Sequence, residues 1–206
     1  LILSGLFKKV VIASYLSEHI VRDVFESPEF YSSWTILAAV YAYSIQIFCD
    51  FSGYSDMAIG VGRLMGFRLP ENFRSPYLAL NIQDFWRRWH ISLGAWFRDY
   101  VYIPCGGSRA GTVRTIANLL LVWLLTGIWH GAGWTFIFWG IYHGFFNVLE
   151  RCFLGKWLKQ EKFRPLAHIY AVFVVLIGWI FFRADTIGQA FSFIRYMFVP
   201  HLSLIH

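Results

Sequence analysis

Charge is what this sequence has least of. Only 15% of its 206 residues are Asp, Glu, Lys or Arg, against about 25% in an ordinary soluble domain, which excludes a water-soluble globular class. Cysteine is also scarce. Cys49, Cys105 and Cys152 lie far apart and fit neither a disulfide framework nor a metal-ligand spacing, so no metal is expected. There is no internal repeat and no low-complexity segment. The opening "LILSGLFKKVVIASYL" has neither an initiating methionine nor a cleavage-site pattern, so the chain reads as an internal piece of a longer protein whose N-terminal helices are missing.

What is present is apolar: 57% hydrophobic and 20% aromatic residues. Three runs carry no formal charge: Phe30 to Cys49 (20 residues), Thr115 to Leu149 (35) and Pro165 to Phe182 (18). A bilayer core of about 30 Å takes roughly 20 apolar helical residues. The first and third runs each fit one span. The fold class is therefore an all-α polytopic integral membrane protein, with residues 1–206 as the C-terminal part of a single transmembrane domain. Membrane lipid is the expected surrounding. The net charge of +6 does not indicate nucleic acid, because the basic residues stand at the ends of apolar runs. Their densest cluster is Arg151, Lys156, Lys159, Lys162 and Arg164. That loop is expected to face the cytoplasm, since Lys and Arg concentrate on that side.

Along the chain, residues 1–25 mix apolar stretches with Lys8, Lys9, Glu18, Arg22 and Asp23, which suits a helix at the interface or at the end of a span. Ser32 or Ser33 is a candidate cap for the next helix, from about Trp34 to Cys49. That helix runs into "DFSGYSD", where Asp50 and Asp56 bracket a glycine. Residues 83–104, "QDFWRRWHISLGAWFRDYVYIP", repeat aromatic and apolar positions at spacings of three and four. This predicts an amphipathic helix, too charged to span, either on the membrane face or packed inside the protein. "PCGGSRAG" is a turn-rich loop, and "ADTIGQAFSFIRYMF" an interfacial helix after the last span.

The longest run poses a geometric problem. A straight helix of that length would measure about 52 Å, and two full spans need about 40 residues. It must break, and Gly127, Gly131 and Gly133 mark the place. Non-helical backbone at membrane depth is tolerated only inside protein or beside a water-filled cavity, so His130 is expected near a cavity. An ionisable group there is a functional candidate by default. A neutral imidazole can take a proton as a general base, or it can simply bond a carbonyl and fix packing; both readings stay open. Trp129, Gly131 and Trp134, beside the break, are candidate tunnel-lining residues.

Other candidates weigh less on the residues alone. On a continuous helix, Arg87 lies three residues before His90 and Gly94 four after it. His90 then reads as an interfacial histidine on a polar edge, with Arg87 beside it. His143 suits an interhelical hydrogen bond. Asp50 and Asp56 can orient a histidine or meet a cation, but pairing with Arg63 is the favoured reading.

Three stretches resemble the membrane-bound O-acyltransferase family, and most of all its alginate O-acetyltransferase branch: "FCDFSGYSDMAIGVGRLMGFRLPENF", "QDFWRRWHISLGAWFRDYVYIPCGG" and "TGIWHGAGWTFIFWGIYHG". The similarity runs from "GLFKKVVIA" to "FFRA" near residue 184. Cys49 stands where an aromatic residue is expected. The resemblance implies a helical ring around a transmembrane tunnel in a bacterial inner membrane. It makes His130, in the W-H-G context, the catalytic histidine and His90, in R-R-W-H, the second active-site residue. Arg87 and Asp50 join the residues expected to line the tunnel. It also implies acetyl-CoA as acyl donor with no bound cofactor, a polysaccharide acceptor, and an extracytoplasmic SGNH-type acetyltransferase partner. D-alanyl export by a sister branch is the nearest alternative. A non-enzymatic transporter using His130 as a proton relay is the competing class, although it expects carboxylates that the second and third runs lack.

Overall fold

The computed structural model describes residues 1–109 and 111–199; Ala110 of the expected "PCGGSRAG" loop lies outside that range. Its main helices are α1 (2–26, alternating α and π turns), α2 (Ser33–Leu64), α3 (Ile82–Arg88), α4 (Ile91–Phe97), α5 (Thr112–His130), α6 (Trp134–Leu149), α7 (Arg164–Arg183) and α8 (Ile187–Phe198). Among the described residues there is no strand, only one isolated antiparallel bridge between Phe73 and Trp89. Among the described residues three helical segments are long and apolar enough to cross a membrane: α2 with 32 residues, α5 with 19, and Glu161–Arg183, which contains α7, with 23. The all-helical membrane class expected from the uncharged runs holds. The chain divides into two compact units, Leu1–Glu71 with Arg183–His206, and Asn72–Phe182.

In the first unit, α2 starts where the serines predicted. Ser32 Oγ accepts the Thr35 N–H at 3.3 Å, satisfying one of the orphan donors of the first turn. The helix does not end at Cys49 but continues through Asp50 and Asp56 to Leu64. The pairing expected with Arg63 is not the one made. Lys8 Nζ donates to Asp56 at 2.8 Å and Lys9 Nζ to Asp50 at 2.5 Å. The cause is the approach of α1, which brings the two lysines alongside. A Cβ on Gly53 would lie only 2.6 Å from the carbonyl oxygen of Gly5, so the two backbones touch at that point. Helix α8 is capped by Thr186, which accepts from the Gln189 N–H, and stacks Phe193 on Phe25 at 4.3 Å.

In the second unit, α5 and α6 form a tight antiparallel hairpin. The long run does break, at Gly131–Gly133, between the end of α5 and the start of α6. Gly127 is not part of that break. It lies buried within α5, where a Cβ would sit 2.5 Å from the carbonyl oxygen of Phe136. Gly140 does the same from the other side, with its missing Cβ directed at the carbonyl oxygen of Trp123. Two backbones can approach this closely only where both side chains are absent, as at small-residue crossings of membrane helices.

The interior of this unit is aromatic. Trp139, Trp179 and Phe85 are almost fully buried, and so is His143. Trp86 Nε1–H donates to His143 Nδ1 at 3.4 Å, joining α3 to α6. Indole is a donor only, so the His143 proton resides on Nε2. This is the interhelical hydrogen bond anticipated for His143. Glu150, just past α6, accepts the Ile82 N–H at 2.6 Å and the Gln83 N–H at 3.0 Å. It thereby fastens the N-terminus of α3 to the end of the hairpin.

Candidate active site

The predicted continuous helix over 83–104 is broken at the histidine. Helix α3 ends at Arg88, Trp89 is extended, and His90 adopts left-handed backbone at φ 47°, ψ 55° before α4 begins at Ile91. Neither a proline nor a glycine causes this. The segment 72–74 lies alongside and takes over the hydrogen bonds: Arg74 N–H donates to the Arg88 carbonyl at 2.9 Å, and Ile91 N–H to the Asn72 carbonyl at 3.1 Å. Left-handed backbone is uncommon outside glycine, and among the described residues only Ser75 and His90 adopt it without being glycine. Such strain persists only where the surroundings over-determine it, and it clusters at functional sites.

The break changes what surrounds His90. Arg87, on the exposed side of α3, is not one turn away on a shared helix. Burial of the His90 imidazole pushes its pKa from 6.5 down to about 4, because the protonated ring loses its hydration. His90 is thus neutral at physiological pH.

His130 is the last residue of α5, set where the glycines release the helix. Its ring is enclosed by aromatics. Trp139 and Phe182 meet it edge to face at 5.0 and 5.1 Å, Phe136 is stacked at 6.4 Å, and Trp129 lies at 4.8 Å. His90 approaches the same Trp129 at 6.0 Å. With both near one indole, the imidazole centroids are at most about 11 Å apart. Forty residues of chain separate the two histidines, and helices α4 and α5 bring them to one indole.

The other sequence candidates are distributed unevenly. Trp129 lies within ring-contact distance of both histidines, and Gly131 follows His130 directly. Trp134 is 75% exposed at the start of α6, and no ring is stacked on it among the described residues. Asp50 belongs to the first unit and is paired with Lys9. Sequence reading missed Trp139 and Phe182, which touch His130 from α6 and α7. A helical-spacing signal existed for Trp139, four residues before His143 on one face, but none linked Phe182 to a histidine on another helix. Among the described residues no cluster of three His, Cys, Asp or Glu side chains forms a metal-binding group.

The family model of the membrane-bound O-acyltransferases matches residues 1–187. The chain belongs to that family. It is 45% identical over 201 residues to a probable alginate O-acetylase of Pseudomonas putida, covering 93% of this chain and 40% of that protein. It is 44% identical over 198 residues to a peptidoglycan O-acetyltransferase of Helicobacter pylori, covering 94% and 37%. A teichoic acid D-alanyltransferase of Bacillus subtilis is 37% identical over 154 residues, covering 70% and 38%. The chain thus spans about two fifths of the length of the curated relatives it matches.

Chemically, the arrangement offers two half-buried imidazoles beside one indole, His130 being bordered by four aromatic rings. One neutral imidazole can take a proton while the other donates a hydrogen bond.

Proposed function

We propose that this chain carries the acyl-transfer centre of a multi-pass O-acetyltransferase of the bacterial inner membrane. The acetyl group comes from cytoplasmic acetyl-CoA through a transmembrane tunnel. It is destined for an extracytoplasmic polysaccharide such as alginate, with an SGNH-type acetyltransferase as partner. The observation that best supports this reading is the approach of both imidazoles to Trp129. The names of the Pseudomonas and Helicobacter relatives, an O-acetylase and an O-acetyltransferase, point the same way.

In the proposed mechanism His130 is the general base. It removes the proton of the acceptor hydroxyl as the oxygen attacks the thioester carbonyl. The carbonyl electrons move onto oxygen, then return as the carbon–sulfur bond breaks, and the thiolate leaves with the proton that His130 delivers. Neutral His90 donates a hydrogen bond that polarises the carbonyl or orients the acceptor. Trp129, Gly131, Trp134 and Arg87 are proposed to line the path.

The test uses the full-length protein. His130→Ala should abolish glycan O-acetylation while expression and membrane insertion persist, since general-base catalysis contributes about 10²–10⁴-fold. Wild-type acetylation by the well-inserted variant removes His130 from the mechanism. The D-alanyltransferase relative supports a second reading, D-alanyl export. Offering acetyl and D-alanyl donors to the purified enzyme separates the two.

A further inference from the structure

His90 is held by a residue that is remote in sequence and adjacent in space. Asn72 meets the start of α4 with both its main chain and its side chain. Its carbonyl accepts the Ile91 N–H at 3.1 Å. Its side-chain Oδ1 accepts the Ser92 N–H at 3.1 Å and the Ser92 Oγ–H at 2.6 Å. These are the first two N–H groups of α4, donors that no intrahelical carbonyl reaches. Ordinarily the residue just before a helix supplies such a cap from its own side chain. Here that residue is His90, and it makes no side-chain cap. Asn72 caps in its place.

The clamp also explains the left-handed backbone. Phe73 pairs with Trp89 in the antiparallel bridge, Arg74 N–H donates to the Arg88 carbonyl, and Asn72 accepts from residues 91 and 92. Hydrogen bonds therefore fix the chain on both sides of His90. A strained φ can survive when its neighbours are tied in this way. The ring of Phe73 adds an edge-to-face contact on Trp89 at 5.0 Å.

We propose that Asn72 is a positioning residue for His90. It holds the imidazole beside Trp129 by capping α4 from outside the helix, and it makes no contact with the reacting atoms. The inference rests on the reading of His90 as an active-site residue, and its test must separate the two.

Full-length enzyme is prepared as Asn72→Ala, Asn72→Asp, His90→Ala and the double variant Asn72→Ala/His90→Ala. A displacement of about 1 Å at a reacting group can cost on the order of 10²-fold in rate. Asn72→Ala should therefore lower kcat by that order with little change in KM. Asn72→Asp keeps the acceptor oxygen, as Asp and Asn are equivalent caps, and should recover most of the activity. In the His90→Ala background the Asn72→Ala change should have no further effect. A second readout does not involve acyl transfer. The rate at which diethylpyrocarbonate modifies His90, mapped by mass spectrometry, should rise in Asn72→Ala and return to the wild-type rate in Asn72→Asp.

Independent, additive losses in the double variant, or an unchanged His90 modification rate in Asn72→Ala, overturn the positioning role. Wild-type activity in His90→Ala overturns instead the reading of His90 as part of the site. In that case the modification rates still report whether Asn72 holds the ring.

Discussion

The indole N–H of Trp86 reaches Nδ1 of His143 at 3.4 Å, inside a shell that also contains Trp123 and Trp139. His143 is 1% exposed, and α7 closes over it at Gly178, where a Cβ would lie 2.6 Å from Nε2. Its role is to fill and to satisfy. His143→Ala leaves a cavity and an unpaired, part-buried indole donor on Trp86, so the loss of stability should be about 3 kcal/mol. Unfolding of full-length protein in detergent measures it. Acetylation per folded molecule should be retained, and its selective loss with stability intact would move His143 into the reacting centre.

The burial of His90 sets a pH dependence. Its pKa is about 4 in the folded chain against 6.5 for an unperturbed ring. Between those values the unfolded chain binds a proton that the folded chain does not, so stability rises with pH across that window. Replacing the residue by Gln should reduce the slope between about pH 4 and 6.5. Chemical denaturation of wild-type and His90→Gln protein over that range gives the comparison, and parallel curves contradict it.

Glu150 titrates in the opposite sense. Burial raises its pKa, while the N–H groups of Ile82 and Gln83 partly offset that by favouring the carboxylate. A folded carboxyl with a raised pKa binds a proton that the unfolded one has released, so its contribution weakens as pH rises through the window between the two. Glu150→Gln removes this dependence and retains one acceptor for α3. Glu150→Ala leaves two donors unpaired at about 1–3 kcal/mol each. The order of stability at neutral pH should be Gln well above Ala, and equal losses would argue against the capping role.

The hairpin of α5 and α6 depends on the absence of two side chains. Gly127→Ala forces a methyl toward the Phe136 carbonyl, and Gly140→Ala one toward that of Trp123. Each should cost about 1–3 kcal/mol from overpacking. Because the residues are neighbours, with Gly127 Cα 3.1 Å from the Cβ position of Gly140, the double variant should not be additive. Thermal unfolding of the three variants decides the point.

The basic stretch from Arg151 to Arg164 sits on exposed short helical turns between α6 and α7. If the positive-inside rule governs this chain, a cysteine at Lys159 should react with a membrane-impermeant thiol reagent only after permeabilisation. The wild-type exposed Cys152 must first be replaced by serine. Labelling in intact cells reverses the orientation.

Local chemistry made much of this protein legible in its sequence. A run without charge has few alternatives to a membrane or a core, so the apolar helices could be read directly. The Ser32 cap and the break after His130 also follow from residues close in the chain. The motif contexts "RRWH" and "IWHG" then carried the resemblance that the family match supports. What sequence spacing could not supply was anything made by distant segments. The aromatic periodicity through residues 83–104 predicts one helix. Four hydrogen bonds, one donated by Arg74 and three accepted by Asn72, more than a dozen residues away, divide it at His90. Asp50 and Asp56 look toward Arg63 in sequence, yet a close crossing at Gly5 and Gly53 gives them Lys9 and Lys8. Gly127 reads as a helix breaker because glycine weakens helices in isolation, whereas the packed hairpin uses it as a space for a neighbouring backbone. Helical periodicity is a property of one segment and is written in that segment. The conformation of His90 and the setting of His130 are properties of contacts between segments, and only the tertiary structure decides which segments meet.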